Sequence, residues 1–151
     1  MIARAAVETP LGRLVLTESG GQIISLEWGG VIEGDGSPLL DRAAAQLGEY
    51  FAGTRQVFDL PLTLGGGPQA RFLAALLAIP YGHTRTYGEL AHDLAMSAQS
   101  VGQACGANPL PVLVPCHRVL AANGLGGYSG AGGVETKVAL LRLEGAAGLL
   151  I

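Results

Sequence analysis

The 151-residue sequence predicts an α/β (α+β) chain in two parts, a small α/β unit over residues 1–64 and a helical unit over residues 65–151. Three observations carry that expectation. Two apolar-alternating segments flank a glycine pair, and a Gly-Gly-Gly-Pro break divides the chain. Beyond the break, apolar residues recur at helical spacing.

The elements follow in order. "GRLVLTES" and "QIISLEWG" alternate on either side of Ser19-Gly20-Gly21, the pattern of a hairpin. "PLLDRAAAQLGEYFAG" places Leu40, Ala44, Leu47 and Phe51 at helical spacing, with Gly53 as the stop. "VFDLPLTL" predicts one further short strand. "GGGP", residues 65–68, is the linker, and Pro68 suits the first turn of the helix that follows. "PQARFLAALLAI" has Phe72, Leu73, Leu76 and Leu77 on one face and ends at Pro80. "TYGELAHDLA" opens on Thr86 with Glu89 three residues later, the capping-box spacing. After Ala95 and Met96 comes "SAQSVGQACGAN", with Ser97 as its cap. Two short helices so tightly joined fit a helix-turn-helix. "VETKVALLRLEG" is the last helix and ends with Glu144 before Gly145.

Composition narrows the class. No apolar run approaches the length that spans a bilayer, and "MIARAAVETPLG" has no long apolar segment before a small-residue cleavage site. The expectation is a cytoplasmic chain without a membrane partner. Two cysteines make no disulfide framework, and with three scattered histidines they match no metal-ligand spacing. No metal and no cofactor is expected. The net charge of −3 is uneven: residues 1–65 hold four Arg against eight Asp and Glu, and residues 66–151 hold four Arg and one Lys against four acids. That permits a DNA partner for the second half without requiring one.

"PLPVLVPCHRVLAANGLGGYSG", residues 109–130, holds the chemistry. An apolar, strand-like run, Val112 to Val114, leads into Pro115 and Cys116, and His117 and Arg118 follow. A thiolate stabilised by a nearby cation or histidine is a strong nucleophile. The bland alternative is a buried structural cysteine. The polar neighbours favour a reactive Cys116, whereas Cys105, among Ala and Gly, reads as core. His117 reads equally as a partly buried histidine with its bonds satisfied. Arg118 suits a structural cation that binds backbone carbonyls, and Asn108 before Pro109 suits a turn. Tyr128 and Ser129, inside a glycine-rich stretch, offer an aromatic wall and a hydroxyl to a small ligand.

"IPYGHTRTYGELA", "GANPLPVLVPCHRVL", "GGYSG" and "LLRLEG" together resemble the O6-alkylguanine-DNA alkyltransferases over most of residues 68–145. The amino-terminal half resembles that family in outline, through "TPLGRLVLTESG" and "YFAG". The resemblance implies an RNase H-like first domain and a helical second domain with a winged-helix-like helix-turn-helix. It implies transfer of an alkyl group from guanine O6 in DNA to Cys116, once per molecule, after the base leaves the stack. On the same basis His117 is the base that acts through water, Glu144 orients it, Asn108 braces the turn and Tyr87 donates to the departing guanine. Val119, Tyr128, Ser129 and Arg118 belong to the substrate pocket. Ser97, Ala98, Gln99, Ser100 and Gly102 meet the DNA minor groove, with Arg85 at a phosphate. No cofactor is implied, and the family's members act as monomers.

Two departures stand out. Gln99 falls where the family usually has an arginine that inserts into the base stack, and an amide cannot replace a stacked guanidinium. The resemblance therefore implies weaker holding of the extrahelical state. "YSGAGGVETK" runs about two residues longer than the usual pattern, which bears on access to the pocket. Three other classes fit parts of the sequence: a damage sensor of the same family that transfers nothing, a helix-turn-helix regulator, and a Cys-His-Glu hydrolase. The first usually lacks the cysteine that is present here. The second needs side chains that read base edges, and the second helix offers small residues instead. The third would turn over where an alkyltransferase is consumed.

Overall fold

Gly20 and Gly21 take φ values of 61° and 78°, the pair of left-handed residues that a tight two-residue hairpin turn demands. They join β2, Gly12–Ser19, to β3, Gln22–Trp28, in antiparallel register from Leu14↔Trp28 to Ser19↔Gln22, with an irregularity at Thr17/Glu18. The computed structural model describes residues 2–30, 34–128 and 133–146. They belong to two units, Met1–Thr63 and Leu64–Ile151.

The first unit is a three-stranded antiparallel sheet, β1-β2-β3, with one helix. β1, Ile2–Thr9, pairs along its whole length with β2, from Ile2↔Ser19 to Thr9↔Gly12. The alternation that marks a strand is missing from "IARAAVET", where Ala5, Ala6 and Val7 follow one another, so the sequence does not announce this element. α1, Pro38–Phe51, packs on β1 and β2. Ser37 caps it by accepting from the Leu40 amide at 3.1 Å, and its hydroxyl also bonds the Glu18 carboxylate. The buried stripe of α1 is Leu40, Ala43, Leu47 and Tyr50, one residue round from the expected face at Ala44 and Phe51. With Leu14, Leu16, Ile23 and Leu26 this stripe forms the core of the unit. "VFDLPLTL" is not a strand: Pro61 has no amide to donate, and the segment makes one parallel bridge, Leu62 to Ile23.

The second unit is built from helices. α2, Gly67–Leu77, buries Phe72, Leu73 and Leu76, while Leu77 turns outward with 42% of its surface exposed. Thr86 caps α3, Tyr87–Leu94, through the complete capping box with Glu89. Ala95, at φ 54°, ends α3 in the left-handed conformation, and Ser97 caps α4, Ala98–Gly106, by accepting from the Ser100 amide at 3.0 Å. α3 and α4 pack on each other. α5, Val134–Glu144, ends at Gly145, φ 67°. Among the described residues, no helix is long and apolar enough to cross a membrane.

The segment before Cys116 corrects the strand expectation. Val112 to Val114 is a buried turn, with Val112 at φ 72° and Leu113 N bonding Pro111 O across it at 2.9 Å. A β-branched residue there costs of order 1–3 kcal/mol and persists only where its surroundings over-determine it. Here Leu110, Val112, Leu113 and Val114 are all buried, and Asn108 bonds the Leu110 amide and the Val114 carbonyl, each at 2.9 Å. Prolines 111 and 115 withhold the amides that a strand would use.

Candidate active site

Cys116, His117 and Arg118 form a single 3₁₀ turn that runs into β5, Val119–Leu120. β5 pairs in parallel with β4, Arg85–Thr86, in the register Arg85↔Val119 and Thr86↔Leu120. Two residues of pairing on each side therefore bring Tyr87, the first residue of α3, to the same place as the cysteine turn. A cavity of about 630 Å³ opens there. Cys116 and Tyr87 line it together with Ala98, Gln99 and Gly102 of α4, and Tyr128 completes the wall. Cys105, Gly106 and Gly127 line it as well, so the cysteine read as core also reaches the cavity.

Beside the cavity lies a fully buried polar cluster. His117 Nε2 is 2.7 Å from Glu144 Oε2. Arg118 donates through Nε to Glu144 Oε1 at 2.8 Å, through Nη2 to Oε2 at 3.0 Å, and through Nη1 to the Ile79 carbonyl at 2.7 Å. Arg118 thus faces Glu144 and does not line the cavity. Burial pushes Glu144 up, but the bonds from His117 and Arg118 outweigh it and carry the carboxyl down to about 2. The carboxylate is therefore charged at neutral pH.

Burial, which the Glu144 hydrogen bond only partly opposes, pushes His117 below the usual imidazole range. It is neutral, so it carries one N–H and one lone pair. The charged Glu144 fixes the tautomer: Nε2 donates to it, which leaves the lone pair on Nδ1. Nδ1 is buried and makes no hydrogen bond among the described residues. Burial also pushes the Cys116 thiol up, against a hydrogen bond from Asn108 and the field of Lys137. At rest Cys116 is a thiol, with a basic nitrogen on the next residue.

Lys137 is the group that the sequence reading missed. It is wholly buried, and its ammonium donates to Val119 O at 2.6 Å and Gly127 O at 3.0 Å, with the Tyr87 hydroxyl at 3.5 Å. Burial lowers its pKa and raises that of Tyr87. The signal lay in the spacing: Lys137, Leu140, Leu141 and Glu144 fall on one helical stripe, and all four are buried.

The remaining expected residues are placed as follows. The Val119 carbonyl is engaged by Lys137. Ser97 and Ser100 bond each other, Oγ to Oγ at 2.9 Å, at the start of α4. Arg85 pairs with Asp93 at 2.7 Å. Ser129 lies outside the described residues. No cluster of three or more metal-ligating side chains occurs among those described.

Gly126, at φ 71°, sits against the Tyr87 ring, and a Cβ added there would come 2.7 Å from Cε2. Gly126→Ala is therefore expected to displace Tyr87 and cost roughly 1–3 kcal/mol. Urea unfolding should show a lower midpoint at unchanged slope. An unchanged midpoint would mean that the ring yields freely.

Residues 2–64 match the family model for the 6-O-methylguanine DNA methyltransferase ribonuclease-like domain, and residues 68–146 match that for its DNA binding domain. The chain is 40% identical to the methylated-DNA–protein-cysteine methyltransferase of Mycobacterium tuberculosis over 95% of its own length and 93% of that protein. It is also 40% identical to the constitutive enzyme of Bacillus subtilis, covering 91% and 92%. It superposes on the M. tuberculosis O6-methylguanine methyltransferase crystal structure with a TM-score of 0.83 at 39% identity, covering 96% and 93% of the two chains. For the structure of the M. tuberculosis protein in complex with DNA, the TM-score is 0.82 at 39% identity, covering 95% and 92%. This chain belongs to the 6-O-methylguanine DNA methyltransferase family.

Proposed function

We propose that this protein repairs DNA by taking the alkyl group from guanine O6 onto its own Cys116, irreversibly and once per molecule, which restores guanine. The observation that carries this is a buried thiol on the wall of a cavity, next in sequence to a neutral histidine whose free lone pair is set by a buried carboxylate.

A base stacked in DNA cannot reach that thiol, so the alkylated guanine must leave the stack. Residues 1–64 act as the ribonuclease-like domain, and residues 65–151 bind DNA and carry the chemistry. α3 and α4 act as the helix-turn-helix, with Ser97, Ala98, Gln99, Ser100 and Gly102 toward the minor groove and Arg85 at a phosphate. Small side chains on α4 suit close approach to a narrow groove. The extruded base meets Tyr87 and Tyr128, which line the cavity with Cys116. Arg118 serves the pocket at one remove, by fixing Glu144.

The thiol proton passes through a bridging water to Nδ1 of His117, and Glu144 holds the imidazolium so formed. The sulfur attacks the alkyl carbon as the carbon–O6 bond breaks, and that electron pair stays with guanine. Tyr87 gives the base a proton, so guanine leaves neutral, and the ammonium of Lys137 offsets the charge left on the phenol. Asn108 holds the turn and donates to the developing thiolate. The product is a thioether, which the protein cannot reverse. No cofactor enters any step. The protein works as a monomer in the cytoplasm, where reducing conditions keep Cys116 a thiol.

The test is intact-protein mass spectrometry after incubation with an oligonucleotide that contains O6-methylguanine. A gain of one methyl group on the Cys116 peptide, absent in Cys116→Ala, is expected. Binding without any adduct would identify a damage sensor instead.

A further inference from the structure

We propose that the DNA this site accepts most readily is single-stranded, a preference that presupposes alkyl transfer to Cys116. The helix pair beside the cavity is short of usable positive charge. α4 has the sequence AQSVGQACG, without one ionisable basic or acidic side chain. α3 carries Glu89, His92 and Asp93, and Arg85 ahead of it, the residue set toward a phosphate, has its charge offset by Asp93 at 2.7 Å. The second unit has four Arg and one Lys. Two of these five, Arg118 and Lys137, are buried and committed to Glu144 and to backbone carbonyls. Arg71 on α2 and Arg142 in the last turn of α5 are the others.

The wall that an incoming strand meets is neutral. Ala98, Gln99 and Gly102 of α4 line the cavity directly, together with Tyr87 and Tyr128. Duplex docking draws its affinity from neutralised phosphates, and drawing a base out of a duplex costs a few kcal/mol that those contacts must return. Neutral side chains return little of it. A single strand presents its bases already unpaired, and aromatic rings can stack on any of them. The same cavity and the same thiol therefore serve an open strand better than a closed one.

The experiment is single-turnover transfer to the full chain from one oligonucleotide that carries O6-methylguanine, as a single strand and annealed to its complement. The single strand is expected to react at least about fivefold faster, since it escapes most of the cost of extrusion. Gln99→Arg and Asp93→Asn, the second of which releases Arg85, are each expected to lower the ratio of single-strand to duplex rate. A ratio below about fivefold in the native chain at moderate salt overturns the preference and leaves alkyl transfer standing. Absence of any Cys116 adduct from either DNA, with the protein folded by circular dichroism, overturns the repair function itself.

Discussion

Glu144→Ala is expected to cost the fold about 3–5 kcal/mol, the usual penalty for removing one member of a buried charge cluster. Arg118 would keep its bond to the Ile79 carbonyl and lose both bonds to Glu144, while His117 would lose the one hydrogen-bond partner its ring has among the described residues. Urea denaturation reads the loss directly. Glu144→Gln separates stability from chemistry, because the amide keeps the shape. Its amide oxygen, in the place of Oε2, would still accept from His117 Nε2 and Arg118 Nη2, but without the carboxylate charge it would hold the imidazolium far less well. Alkyl transfer should then fall by about 10²–10⁴, the contribution of a general base. A Gln variant that reacts at the native rate would remove His117 from the mechanism.

The same cluster makes stability depend on acid. Glu144 is held at about 2, against 4.5 for a free carboxyl, so its stabilisation is complete above pH 4.5 and drains away as pH falls toward 2. That depression is worth roughly 3 kcal/mol at most. His117, held below its ordinary 6.5 by burial, works in the same direction over a higher range. Below pH 6.5 the unfolded chain takes up a proton that the buried ring refuses. Stability should therefore begin to fall near pH 6 and steepen below 4.5, and the lower part of that fall should be missing in Glu144→Gln.

Lys137→Met is expected to slow alkyl transfer by about 10²-fold, the scale of losing one preorganised group where charge develops. Methionine fills the space of the lysine stem, so the core keeps its volume, and relief from a buried ammonium partly offsets two carbonyls left unpaired. The pH profile separates a chemical role from a structural one. In the native protein the alkaline loss of rate should follow Lys137, whose pKa burial lowers, ahead of Tyr87, whose pKa burial raises. In Lys137→Met that limb should move to higher pH. A slower reaction with an unmoved limb would reduce Lys137 to a strut between Val119 and Gly127.

What was legible in the sequence was local. The glycine pair at 20–21, the Thr86–Glu89 capping box and the Ser97 cap each place a bond within three residues, and each stands in the structure. Pro115-Cys116-His117-Arg118 announced the buried polar turn because polar residues so near a cysteine demand partners. The misses come from effects that are not local. β1 is held by its partner strand rather than by its own alanines, and Val112 to Val114 has strand composition but prolines on both sides. The β4–β5 pairing is two residues long, too short for any periodicity, yet it is what sets Tyr87 beside Cys116. Lys137 carries one sequence signal of an internal place, its position on the stripe with Leu140, Leu141 and Glu144.

The protonated resting state of Cys116 decides what kind of reagent this protein is. A standing thiolate would react with any electrophile or oxidant that drifted into the cavity, and each such accident would remove one molecule for good. On the reading proposed above, burial keeps Cys116 a thiol until its proton passes to His117. A cell's capacity for repair by such a chain is then a stock counted in intact molecules, and it is drawn down by lesions rather than by time.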